Sequence, residues 1–178
     1  MTQVLVAAGS NVAPVDNLHR ALDVLARHYP GLRCSRAYRN RAVGFDGEDF
    51  VNLVVAFDTD DELHTVIEHL HEAEAACGRS RDAPRWAPRS MDLDILVYGS
   101  LVVDAQGKRG LTQKHSLTLP RPDLTRRAYM LGPAADLAPD FVHPLLGATL
   151  GELWDRFDQR LHPLREVDLG WRPQVRAG

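Results

Sequence analysis

The chain has 178 residues, 44% hydrophobic and 25% charged, with a net charge of −3. That length suits one domain with a substantial hydrophobic core. The mildly acidic balance argues against a nonspecific nucleic-acid binder, whose usual footprint is a basic stripe and a high pI.

Gln3 to Ala8 read as a buried strand that Gly9-Ser10-Asn11 ends in a turn towards a helix. The helix runs from about Val15 to His28, with Leu18, Ala21, Leu22 and Leu25 at helical spacing, and Pro30-Gly31 stops it. Leu32 to Asn40 reads as a second strand, Ala42 to Asp49 as a glycine-containing loop, and Phe50 to Phe57 as a strong third strand. Asp60 or Asp61 is the expected cap of a second helix, which carries Leu63, Val66, Ile67, Leu70 and Ala73 and ends before Gly78. An arginine-rich loop follows, then a strand from Met91 to Tyr98 and a short apolar run at Leu101-Val102-Val103. Thr112 to Ser116 reads as loop, and helical stretches are expected near Arg126 to Leu131 and from Ala148 to Trp154. The tail from Gly170 to Gly178 has little to bury and is expected to be mobile, leaving residues 1–169 as one domain.

The order strand, helix, strand, strand, helix, strand is that of a split βαβ, ferredoxin-like α+β fold. We expect an antiparallel sheet with helices on both faces, in three α/β/α layers. A doubly wound parallel sheet would need a helix between the second and third strands, where the loop is too short for one. Cys34 and Cys77 have no CxxC neighbour, so a disulfide framework and a zinc site are excluded and buried thiols in a reducing compartment are expected. No segment has the length and flanks of a membrane span or a leader, so the expected location is the cytoplasm.

The chemistry concentrates in Arg79 to Asp94. Arg79, Arg81, Arg85 and Arg89 share a loop with Trp86, Pro84 and Pro88. On the strand that follows, Asp92 and Asp94 point to one face, roughly 6.6 Å apart along the backbone, while Met91, Leu93, Ile95 and Val97 take the apolar face. Paired carboxylates hold hard cations such as Mg²⁺, and guanidiniums grip phosphate oxygens in bidentate fashion. Together they form an inventory for phosphoryl transfer. A salt-bridged edge pair is the plainer reading of an isolated Asp-x-Asp, and a solvated loop that of a charge run. Asn52, inside an apolar strand, is either a satisfied sheet asparagine or an amide that reads a polar ring edge. Arg127 could hold phosphate while Tyr129 supplies a flat face beside Trp86. Gly9-Ser10-Asn11 lacks the Walker spacing, so a P-loop is rejected.

These residues resemble the 6-hydroxymethyl-7,8-dihydropterin pyrophosphokinase family. The likeness rests on Gly9-Ser10-Asn11, Phe50-Val51-Asn52, Gly78-Arg79, Leu119-Pro120-Arg121-Pro122 and Arg127-Ala128-Tyr129-Met130-Leu131. Most specific is Arg85-Trp86-Ala87-Pro88-Arg89-Ser90-Met91-Asp92-Leu93-Asp94. The resemblance implies transfer of the diphosphate of ATP to the hydroxymethyl oxygen of a reduced pterin, with AMP as the other product, in folate biosynthesis. By that likeness Asp92 and Asp94 bind two Mg²⁺ ions, and Arg79 and Arg89 steady the transferring groups. Glu74, Arg81, Arg85, Arg121 and Arg127 contact ATP, while Val43, Phe50, Asn52, Trp86 and Tyr129 form the pterin pocket. The partners implied are small molecules acting on a monomer, with no nucleic acid and no membrane. Ordered closure is a further expectation, with the Gly44–Asp49 and arginine loops folding over the pterin after MgATP binds. Two departures stand out: Asn40-Arg41-Ala42-Val43 replaces the family's proline-rich segment, and Arg121 stands where a histidine is common. They motivate one alternative, a divergent relative that binds pterin or nucleotide with weak or altered activity.

Overall fold

The computed structural model describes residues 1–40, 49–78, 91–104 and 117–173. A sheet of six strands is formed by β1 (Thr2–Ser10), β2 (Arg33–Cys34), β3 (Ala37–Asn40), β4 (Phe50–Thr59), β5 (Asp92–Tyr98) and β6 (Arg165–Val167). The order across it is β5-β1-β4-β3-β6, with β2 also on β4, and every pairing is antiparallel. Helices α1 (Pro14–His28) and α2 (Leu63–Ala76) cover one face, and α3 (Ala128–Leu137) and α4 (Leu150–Arg156) cover the other. This is the expected ferredoxin-like, three-layer arrangement.

Each helix buries the stripe that its spacing requires. In α1, Leu18, Ala21, Leu22 and Leu25 pack with Val66, Leu70 and Ala73 of α2 against Val4, Val6, Ala8, Leu53 and Val55 of the sheet. The opposite cluster sets Met130, Leu131, Ala134 and Ala135 of α3 and Leu150 of α4 on Leu5, Ala7, Val54 and Ala56. α4 begins with a capping box in which the Thr149 hydroxyl accepts from Glu152 N–H and the Glu152 carboxylate accepts from Thr149 N–H.

The structure corrects several expected boundaries. Gly9 and Ser10 do not turn; they remain in β1, paired with Asn52 and Val51 of β4. The single strand from Leu32 to Asn40 is broken at Ser35, whose N–H and hydroxyl both engage Val54, leaving two short strands. The N-cap of α2 is Glu62, because the Asp61 carboxylate is taken by the Tyr29 hydroxyl instead. Val97 joins the α3 side: pairing between β1 and β5 shifts at Leu5/Val6, and this bulge turns both Leu96 and Val97 into that cluster. β6 escaped notice because three residues with two charges carry no alternation to read. The start of the tail is held in place rather than loose. The Trp171 indole N–H donates to Asp23 at 3.0 Å, and the ring packs on the α1 side of the core.

His143 is buried, and its Nδ1 accepts the N–H groups of Leu145 and Leu146, both at 3.2 Å. Burial lowers its pKa from the ordinary 6.5. A proton on Nδ1 would also break both bonds. The neutral ring therefore contributes stability that is full above the unfolded value and is lost as pH falls through the lower folded value. Urea unfolding at pH 7.5, 6.5 and 5.5 should show wild type losing more stability on acidification than His143→Asn, whose amide oxygen can accept the same N–H groups. Parallel pH profiles for the two proteins would refute this role.

Candidate active site

The sheet face beneath α3 carries the polar groups. The pairing Asp92–Gly9–Asn52–Tyr38 runs straight across β5, β1, β4 and β3, so these residues share one face. Asp94, opposite Ala7, lies on that face one step along β5. Met91, Leu93 and Ile95 are buried on the other face, as the alternation requires. The Tyr38 hydroxyl donates to Asp136 of α3, and the row continues from Tyr38 to Glu166 of β6.

Asn52 is positioned by two neighbours. Its Nδ2 donates to Oδ1 of Asn40. Its Oδ1 occupies the space where a side chain on Gly9 would begin, and Phe50 borders the same space. Gly9 was read from the sequence as a turn glycine; its use here is close approach of a neighbouring side chain. A glycine inside a strand pattern is the signal that points to such a role.

Arg121 approaches from the other side. Its backbone N–H donates to Leu96 O at 2.8 Å, which fixes the residue to the middle of β5. Its Nη1 lies 3.3 Å from Asp94 Oδ1, with the two side chains 34% and 24% exposed, so the pair is sheltered compared with a surface ion pair. Arg121 Nε is buried and has no hydrogen-bond partner among the described residues. Tyr129, in the first turn of α3, faces the same charges. Burial raises its phenol pKa first; Arg127 and Arg121 oppose the rise, and Asp123 and Asp94 add to it. Arg127 caps the N-terminus of α3 and is exposed.

The structure thus gathers Asp92, Asp94, Arg121, Tyr129, Asn52 and Phe50 on one side of the sheet, with Arg127 at the rim. Glu74 is not among them. It lies near the end of α2, in the layer across the sheet, beside Cys77. Val43, Arg79, Arg81, Arg85, Trp86 and Arg89 lie outside the described residues, as do Gly44 to Glu48 and most of the arginine loop. Asn40 entered the sequence reading only within the departing segment, and Asp123 not at all; Asn40 accepts from Asn52, and the charge of Asp123 acts on Tyr129.

Among the described residues no group of three or more His, Cys, Asp or Glu side chains could hold a metal ion. A two-carboxylate donor set fits Mg²⁺, which takes the rest of its octahedron from water and substrate phosphates. It does not fit a cation that needs a closed protein cage. No described helix is long and apolar enough to cross a membrane.

A model of the 7,8-dihydro-6-hydroxymethylpterin-pyrophosphokinase family matches residues 5–139. A Synechocystis protein named 2-amino-4-hydroxy-6-hydroxymethyldihydropteridine pyrophosphokinase is 35% identical over 158 residues, covering 86% of this chain and 75% of its own. A Pseudomonas aeruginosa protein of the same name is 37% identical over 147 residues, covering 80% of this chain and 84% of its own. Among solved structures, a Plasmodium falciparum HPPK-DHPS superposes with a TM-score of 0.64 over 90% of this chain. At 14% identity it speaks for the fold alone, and the chain spans only 44% of that longer protein. With a family match across three-quarters of its length and relatives more than one-third identical, the chain belongs to the 7,8-dihydro-6-hydroxymethylpterin-pyrophosphokinase family.

Proposed function

We propose that this chain transfers the β,γ-diphosphate of ATP to the hydroxymethyl oxygen of 6-hydroxymethyl-7,8-dihydropterin, releasing AMP, as a step in folate biosynthesis. The observation that carries the reading is the placement of two carboxylates, a guanidinium and a strand amide on one sheet face. In this reading Asp92 and Asp94 would hold Mg²⁺, two ions in all, whose charge would offset that of the phosphates and lower the proton affinity of the attacking hydroxyl. Arg121 and Arg127 hold phosphate oxygens at the rim of the carboxylate pair. Asn52 offers its amide to the polar edge of the pterin, with Phe50 below the ring and Tyr129 facing it. Arg79 and Arg89 steady the transferring group, with Arg81 and Arg85 on the nucleotide and Val43 and Trp86 on the pterin. No side-chain nucleophile is required, because attack at the β-phosphorus depends mainly on alignment and charge neutralisation.

The reading extends to a cytoplasmic monomer with residues 1–169 as its catalytic domain. A divergent relative that only binds its ligands is less favoured, since Asp92, Asp94 and Arg121 lie together at one edge of the sheet. The test is a product assay. AMP release should require ATP, Mg²⁺ and the reduced pterin together, and the pterin diphosphate should appear in equal amount. ADP as the nucleotide product, or AMP release indifferent to the pterin, would rule the reading out.

A further inference from the structure

Arg121 and Asp94 present a conflict that the functional reading leaves open. The guanidinium nitrogen lies 3.3 Å from Asp94 Oδ1, on an oxygen that a divalent cation at this carboxylate would have to share or take. Where a metal takes that oxygen the guanidinium must move, and once apart from its carboxylate it has only water or another anion as a partner. Its Nε already lacks an acceptor among the described residues while being buried. The backbone bond from Arg121 to Leu96 keeps its stem on the strand that carries Asp94.

We propose that Arg121 is a positioning residue that guards the metal site, holding Asp94 against a bare divalent cation and releasing it when a triphosphate arrives with the metal. The phosphate oxygens then provide the acceptors that the guanidinium fork and its Nε require. Metal and nucleotide therefore bind with positive coupling, and the coupling resides in this side chain. The inference rests on the metal-and-triphosphate reading of Asp92 and Asp94.

Equilibrium binding of Mn²⁺, followed by the electron paramagnetic resonance signal of the free ion, tests both. Arg121→Gln removes the charge but keeps a polar stem, and Arg121→Lys keeps the charge. Arg121→Gln should bind Mn²⁺ alone about tenfold more tightly than wild type, an effect of ~1.4 kcal/mol. It should bind the preformed complex of Mn²⁺ with α,β-methylene-ATP about tenfold more weakly. Arg121→Lys should stay near wild type for Mn²⁺ alone. A merely structural loss cannot raise an affinity. If Arg121→Gln binds Mn²⁺ alone no better than wild type, while Asp94→Ala loses the metal–nucleotide complex, the guard is refuted and the functional reading stands. If Asp94→Ala binds the metal–nucleotide complex as wild type does, both are overturned.

Discussion

Replacing Asp94 with alanine is expected to reduce pterin-dependent AMP release by about 10³-fold or more, a loss on the order of 4 kcal/mol of transition-state stabilisation. Asp94 is in β5, held by ladder bonds to β1, and with Asp92 it makes a two-carboxylate site. A site with so few protein ligands has no spare donor to fill a gap, so the lost oxygen is felt in full. The fold should survive, because Asp94 belongs to neither hydrophobic cluster. The cost in stability is set mainly by Arg121, which loses its partner at 3.3 Å but remains open enough to hydrate. Circular dichroism and thermal unfolding of the variant should therefore track wild type while turnover vanishes. An enzyme that keeps more than a tenth of its activity would remove Asp94 from the metal site, and an unfolded protein would show that it acts structurally.

How far this site could be seen in the sequence depends on the range of the interaction involved. The pointing of Asp92 and Asp94 to one face follows from the two-residue period of a strand, and the structure keeps it. The same period failed two turns of the pleat later at Val97, because the bulge beside Leu5 is a property of the pairing between strands and not of β5 alone. Gly9-Ser10-Asn11 has the composition of a turn, and composition misled: the strand continues because β4 and β5 both supply partners for Gly9. Asn52 presented two readings, and the structure shows the first. Its amide is bonded to Asn40, as a satisfied sheet residue should be, yet it lies on the polar face with the aspartates. The contact between Arg121 and Asp94 spans 27 positions of chain, and no local periodicity encodes it. Strands and helices were legible wherever the burial pattern is local. The bulge and the ion pair were not, because each is specified by a partner far away in sequence.

Gly9→Ala is expected to weaken pterin binding about 30-fold, or ~2 kcal/mol, while leaving affinity for the metal–nucleotide complex within about twofold of wild type. The added Cβ would overlap Oδ1 of Asn52, with Phe50 at 3.9 Å on its other side. The backbone cannot retreat, since Gly9 is laddered between Asn52 on β4 and Asp92 on β5. The cheapest relief is rotation of the Asn52 amide, which breaks its bond to Asn40 and turns it from the pterin edge. Asp92 and Asp94, the proposed metal ligands, are untouched by that rotation, which is why the two affinities should separate. Alanine at Asn52 should weaken the pterin by a similar factor. The decisive comparison is the double variant. If glycine matters only by making room for the amide, Gly9→Ala should have no further effect on pterin binding once Asn52 is alanine. Titration of the pterin by calorimetry in all four proteins measures this. Additive losses would mean that Gly9 contributes to pterin binding by a route that does not pass through Asn52.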